Sequence, residues 1–183
     1  MKLWKKILLG LVAAIALLLI VALFLPSKWR VERSVTVDAK PEVILPFVAD
    51  LHQWKNWAAW NNEMDPSMQT TYSGNAQGAG ATMSWKGEKM GFGTLTLTQA
   101  DPQKGVRYEM KMEEQQTPAQ GQINFEAAGA GTKVVWIDEG DMGLFLPGRY
   151  FVSMLEKQLG EHFDIGLKNL KKLAENPPAP KAN

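Results

Sequence analysis

The stretch RYFVSMLEKQLGEHFDIGLKNLKKLAE, residues 149–175, decides the fold. Val152, Leu155, Leu159, Phe163, Leu167 and Leu170 recur at steps of three and four, so they share one stripe of an α-helix roughly 40 Å long at 1.5 Å per residue. Such a stripe needs a surface to cover. Between residues 68 and 141 the sequence alternates with period two, and an antiparallel sheet with one apolar face is the partner that this pattern supplies. Gly160 and Gly166 interrupt the helix at a cost of roughly 1 kcal/mol each relative to alanine. They call for close approach of the helix backbone to the sheet, or for space left to a ligand.

The alternating runs are Met68–Ser73, Ala81–Lys86, Phe92–Ala100, Val106–Glu113, Gln120–Ala127 and Thr132–Asp138, separated by Gly, Asn, Asp-Pro and Lys-Gly signals. In the clearest of them Val106, Tyr108, Met110 and Met112 oppose Arg107, Glu109, Lys111 and Glu113. Glycines at 78, 80, 87, 91 and 93 permit bulges and strong coiling. Gly78-x-Gly80 and Gly91-x-Gly93 lack the third glycine and the following helix of a nucleotide loop. Upstream, Arg30–Val37 alternates as a first strand. Asp38-Ala39-Lys40-Pro41 then starts a helix that Pro46 should kink or shorten. A second short helix is expected after Asp50, with Trp54 and Trp57 on one face and Trp60 just beyond.

Ile7–Leu25 is an uncharged apolar run of about 19 residues, roughly 28 Å as a helix, close to the thickness of a bilayer's hydrocarbon core. Trp4 and Trp29 flank it as an aromatic belt would, with lysines and arginines outside them. The run exceeds a secretory h-region, and its one small-x-small site, Ala14-Ile15-Ala16, lies in its middle. It is therefore expected to stay as an anchor through residues 7–25. The basic residues on its two sides nearly balance. A short basic tail before one span and a large domain is the layout of a signal anchor, which places the chain in the inner (plasma) membrane, single-pass, with a periplasmic domain. The expected organisation is tail and anchor over 1–28, one ligand-binding domain over 29–176 and a Pro-rich disordered tail over 177–183.

With 183 residues, 45% hydrophobic and 21% charged, the chain can bury one ordinary core. A net charge of +1 with scattered Lys and Arg gives no electrostatic footprint for nucleic acid. The absence of cysteine excludes disulfides, thiolate metal sites and cysteine nucleophiles.

Strand, two short helices, six strands and a long last helix is the order of the START-like helix-grip fold. The chain resembles the polyketide cyclase/dehydrase and lipid-transport branch of the SRPBCC superfamily. The residues that carry the resemblance are Val35, Pro41 and Val43, then Asp50-Leu51-x-x-Trp54-x-x-Trp57, Gly78-x-Gly80 ahead of Trp85, and Gly91-x-Gly93. Gly131-Thr132-Lys133-Val134 leading to Trp136, and Phe163 with Gly166-Leu167-x-x-Leu170, complete it. The resemblance implies an α+β fold in which a curved antiparallel sheet of about seven strands wraps the C-terminal helix. It also implies a cavity between them, open to lipids or other hydrophobic small molecules. It supplies no catalytic motif.

The candidate ligand-binding residues are Met83, Trp85, Tyr108, Met110, Met112, Ile123 and Phe125 on the sheet, Trp57 and Trp60 above it, and Phe163 and Gly166 on the helix. Methionines suit apolar ligands of varied shape, although all of these side chains equally fit a solid core. Arg149 and Tyr150 are candidates for holding a carboxylate or phosphate at the cavity mouth, or for capping the fold. With only His52 and His162, no three-histidine metal site exists, no cofactor is implied, and no catalytic residue is assigned. Asp164 should pair with Lys168. Asp138 shares the parity of Val134 and Trp136, and is either a buried carboxyl with a raised pKa or an exposed strand-end acid. The expected function is membrane-tethered binding or transport of a hydrophobic small molecule or lipid. The alternatives are a cyclase/dehydratase-like enzyme and a protein-interaction or envelope-stress module with a filled core.

Overall fold

The computed structural model describes residues 2–113 and 118–177. Helix α1 (Leu3–Phe24) leads to strand β1 (Lys28–Val37), helix α2 (Pro41–Ala49) and a 3₁₀ helix (Leu51–Asn56). Strands β2 (Gln69–Gly74), β3 (Ala81–Gly87), β4 (Gly91–Asp101), β5 (Gly105–Met112), β6 (Ala119–Ala128) and β7 (Gly131–Asp141) follow, then helices α3 (Leu146–Arg149) and α4 (Val152–Glu175). The tail expected over 177–183 lies, beyond Pro177, outside the described residues.

All seven strands form one antiparallel sheet in the order β1-β7-β6-β5-β4-β3-β2. The period-two alternation becomes one buried face, with Val106 and Tyr108 on β5, Ile123 and Phe125 on β6, and Val134 and Trp136 on β7. Among the described residues the one register shift lies between Leu97 and Gln99 of β4, not at a glycine. Against this face α4 buries Val152, Phe163, Leu167, Leu170 and Ala174.

The long helix begins at Val152 rather than Arg149. Arg149 and Tyr150 belong to α3 and its C-cap, and Phe151, with ψ near 1°, separates the two helices. Asp164 meets Arg33 (3.3 Å) rather than Lys168. Gly160 makes this possible, because a Cβ there would lie 2.8 Å from the Arg33 guanidinium carbon.

Helix α2 continues through Pro46 and ends three residues later. The carbonyls at its end lack helical partners and are taken by indoles. Trp54 Nε1 donates to the Val48 carbonyl (3.0 Å) and Trp57 Nε1 to that of Phe47 (2.9 Å). The Asp50 carboxylate caps the 3₁₀ helix by accepting from the His52 N–H. These bonds fix Trp54 and Trp57 over the sheet, where Trp54, Trp57 and Trp60 meet Trp136 edge to face and Phe163 stacks on it.

Strand register gives the sheet two distinct ends. Lys28 pairs with Asp141 at the end where α1 arrives, and Val37 with Thr132 at the other. The C-termini of β3, β5 and β7 and the N-termini of β2, β4 and β6 also lie at the α1 end. Helix α1 itself has 22 residues, is long and apolar enough to cross a membrane, and leaves nearly all its side chains exposed.

Candidate ligand cavity

At the α1 end of the sheet lies a cavity of about 590 Å3, within the range typical of ligand sites. The sheet contributes Trp29, Met83, Trp85, Leu95, Tyr108, Met110, Met112 and Asp138. The segment from Trp54 to Tyr72 supplies Trp54, Ala58, Trp60, Met64 and Met68, and the β3–β4 hairpin supplies Lys89 and Met90. Leu155, Leu159 and His162 of α4 close the remaining side.

Three cross-strand pairs of one kind shape the wall. Trp29 lies opposite Gly140, Trp85 opposite Gly93, and Tyr108 opposite Gly121. In each pair the ring occupies the space of a missing side chain. A Cβ at Gly140 would come within 2.6 Å of the Trp29 ring, and one at Gly93 within 2.7 Å of a second indole atom. At Gly121 a Cβ would strike the Tyr108 ring and reach 2.5 Å from Asp138 Oδ1. Rings lying on the neighbouring strand occupy less of the volume beneath α4 than rings standing upright, and an aromatic over a strand glycine also restores packing there.

Gly121 pairs with Tyr108 on one side and Asp138 on the other, so the phenol crosses β6 to reach the carboxyl. Tyr108 donates its hydroxyl proton to Asp138 Oδ1 and accepts a hydrogen bond from Trp136 Nε1 (2.8 Å). Asp138 is only 2% exposed. Burial pushes its carboxyl up to about 7 from the ordinary 3.8, against the opposing pull of hydrogen bonds from Tyr108 and Trp136. Burial, and then the Asp138 charge, push the Tyr108 phenol well above its usual range. At neutral pH the cavity wall therefore carries a carboxyl that passes between hydrogen-bond donor and acceptor, beside a phenol that stays protonated.

Of the residues singled out in the sequence, Trp60, Met83, Trp85, Tyr108, Met110 and Met112 line the cavity. Trp57, Ile123, Phe125, Phe163 and Gly166 lie in the packed core instead. Phe163 stacks on Trp136 at 4.1 Å and 6°, and Trp57 meets the same indole edge-on. A Cβ at Gly166 would sit 2.9 Å from the Trp136 ring, so this glycine serves close helix–sheet approach and leaves no room for a ligand. Phe125 is displaced toward the far end of the sheet, opposite Val134.

Arg149 and Tyr150 are not at the cavity mouth. Arg149 donates to the carbonyls of Ala22 (3.3 Å), Leu23 (3.4 Å) and Gly143 (2.7 Å), and Tyr150 donates to that of Leu18 (2.6 Å). They hold the C-terminal turns of α1, where a cation is favourable.

Several wall residues carry weak signals in the sequence. Trp29 reads as a membrane-belt residue, yet it shares the parity of Val31 and faces inward. Asp138 follows its parity into the wall. His162 also reaches the wall, its ring 5.5 Å from that of Trp60. Among the described residues no three His, Asp or Glu side chains converge as a metal site would need.

Asp65 carries no motif but organises one side of the cavity. It is 1% exposed and accepts the backbone N–H groups of Ser67 (3.0 Å), Lys89 (2.9 Å) and Met90 (3.0 Å), as well as the Ser67 hydroxyl (2.6 Å). The Ser67 hydroxyl, with these amides, holds its carboxyl down at about 2. The segment bearing Met64 and Met68 is thereby tied to the hairpin bearing Met90.

A curved antiparallel sheet closed by a long C-terminal helix over an apolar cavity defines the helix-grip class. Residues 28–175 match the family model described as polyketide cyclase / dehydrase and lipid transport, and the chain belongs to that family. No sequence match is found among curated proteins. Solved structures with the same fold include the Aha1 dimer from Colwellia psychrerythraea, 16% identical with a TM-score of 0.59 over 80% of this chain and 96% of that one. Protein CV1439 from Chromobacterium violaceum is 15% identical, with a TM-score of 0.57 over 81% of this chain and 97% of that one. The KanY protein is 18% identical, with a TM-score of 0.60 over 81% and 99%.

Proposed function

We propose that the chain is a membrane-tethered module that binds or carries a hydrophobic small molecule of lipid type between the sheet and α4. The cavity carries this reading: about 590 Å3, walled by tryptophans, methionines and leucines, with one buried carboxyl–phenol pair. The ligand that fits is mostly apolar with a single hydroxyl, carbonyl or amine to meet Asp138, because a group hydrogen-bonding there offsets the cost of burying the carboxyl. In this reading residues 1–28 are the anchor and 29–176 the binding domain. The short basic tail before α1 favours the inner membrane with the domain on the periplasmic side.

Purification of the full chain in amphipol without detergent, followed by native mass spectrometry and organic extraction, tests the binding. A co-purifying apolar molecule is expected in the wild type. It should be lost from a Met83→Trp/Met110→Trp variant that fills the cavity at an unchanged melting temperature. Equal recovery from both proteins, or none from the wild type, refutes the reading.

One observation favours a second reading, an acid–base enzyme of the cyclase or dehydratase kind. Asp138, at about 7, sits in the cavity wall where a substrate would lie. If that reading holds, Asp138→Asn abolishes turnover of a bound ligand while leaving its retention intact. A ligand recovered unchanged from the wild type and the variant alike excludes it.

A further inference from the structure

We propose that the segment Met142–Met154, around α3, is a second membrane contact that lies in the interface of the leaflet where α1 emerges and turns the cavity toward that leaflet. The inference rests on the reading of α1 as a membrane anchor.

The first observation is exposure. Leu144 is 88% exposed, Phe145 63%, Phe151 55% and Met154 52%, a run of large apolar side chains unlike any other among the described residues of the folded domain. The segment holds one charged residue, Arg149, whose guanidinium is already bonded to the carbonyls of Ala22, Leu23 and Gly143.

The second observation is depth. The Tyr150 hydroxyl bonds the Leu18 carbonyl, six residues before the end of α1 at Phe24. At 1.5 Å per residue that is about 9 Å along the helix axis. The segment therefore lies beside the last turns of α1, not beyond its end. Interfacial segments bury their apolar faces about 5–10 Å into the headgroup and acyl boundary, and a segment clamped beside the last turns of α1 by Arg149 and Tyr150 falls in that layer. The Tyr150 hydroxyl is paired with the Leu18 carbonyl, so its donor is satisfied at that depth. A lipid interface is therefore the occupant that continues the α1 surface, whereas a protein partner would have to displace lipid from the same place.

The third observation is direction. The cavity lies at the end of the sheet where α1 arrives, with Trp29 of β1 and Leu155 of α4 in its wall beside this segment. Seating Leu144 and Phe145 in the leaflet sets that end of the sheet against the membrane and its opposite end, at the β6–β7 turn, away from it. An apolar ligand then enters without crossing bulk water.

The chain has no cysteine, so a single substitution gives a unique labelling site. Full-length Leu144→Cys, Phe145→Cys, Ile15→Cys and Ala130→Cys variants, each bearing an environment-sensitive fluorophore, are reconstituted in phosphatidylcholine vesicles with or without nitroxide-bearing lipids. Labels at 144, 145 and 15 should be quenched by the lipid nitroxides, and the label at 130 should be quenched only by an aqueous quencher. Quenching at 15 with water exposure at 144 and 145 overturns the second contact and leaves the anchor. Labels at 144 and 145 shielded from both quenchers show protein there, which also overturns it. No lipid quenching at 15 removes the anchor, and the inference with it.

Discussion

Asp138→Asn reverses the usual expectation for a buried polar substitution, because its effect changes with pH. The folded-state pKa of Asp138, about 7, lies above the ordinary 3.8. The folded protein therefore holds a proton that the unfolded chain has released. Stability from this group is complete below 3.8 and is lost as pH rises through about 7. The difference, 7 minus 3.8, at about 1.36 kcal/mol per pH unit sets an upper end of about 4 kcal/mol for the loss. Asparagine keeps an oxygen to accept the Tyr108 hydroxyl and has no charge to bury. Urea unfolding of the full chain in nanodiscs, followed by tryptophan fluorescence, should show the variant within about 1 kcal/mol of wild type at pH 4.5 or below, a difference the size of one hydrogen bond. At pH 8 the variant should be the more stable by up to about 4 kcal/mol. Acid loss from other carboxylates affects both proteins and cancels in the comparison. A variant minus wild-type difference that stays constant from pH 4.5 to 8 refutes the burial of an ionisable Asp138.

Gly121→Ala should displace the Tyr108 ring and break its bond to Asp138, costing about 2–5 kcal/mol from overpacking and a lost buried hydrogen bond; an unchanged melting temperature would show that β6 tolerates a side chain there. Gly166→Leu should lower stability by about 1–3 kcal/mol despite the better helix propensity of leucine, because its Cβ meets Trp136, while ligand retention persists. Loss of retention without loss of stability would instead place Gly166 in the cavity. Asp65→Ala should speed amide exchange at Lys89 and Met90, read by hydrogen–deuterium exchange with wild type as reference. Because its carboxyl is held at about 2, the contribution of Asp65 is present above 3.8 and disappears as pH falls through about 2. Equal exchange rates in the variant and the wild type at pH 7 would show that the hairpin does not depend on Asp65.

The periodicities that revealed the fold are consequences of burial on one face, so every strand and the stripe on α4 could be read from them. The same periodicity marks a side chain as inward without saying whether it meets another side chain or empty space. Tyr108 and Phe125 carry the same parity on neighbouring strands, yet one lines the cavity and the other fills the core. What separates them is position along the strand relative to the end where α1 arrives, a property of register that alternation does not encode. Parity did place Asp138 inward, but the glycine that joins it to Tyr108 lies on the strand between them, 13 residues after one and 17 before the other in sequence. Asp65 and the amides of Lys89 and Met90 that it accepts lie 24 and 25 residues apart. Arg149 and Tyr150 extend the helical pattern without obeying it, because their partners include the carbonyls of Leu18, Ala22 and Leu23, more than a hundred residues upstream.

Six of the chain's nine methionines, at 64, 68, 83, 90, 110 and 112, stand in the cavity wall. A thioether is easily oxidised, and methionine sulfoxide is polar, chiral and bulkier at sulfur. Peroxide reaching the cavity would therefore convert an adaptable apolar lining into one studded with strong acceptors, and would do so without cutting or unfolding the chain. An empty cavity exposes those sulfurs, whereas an apolar molecule seated among them shields them from the oxidant.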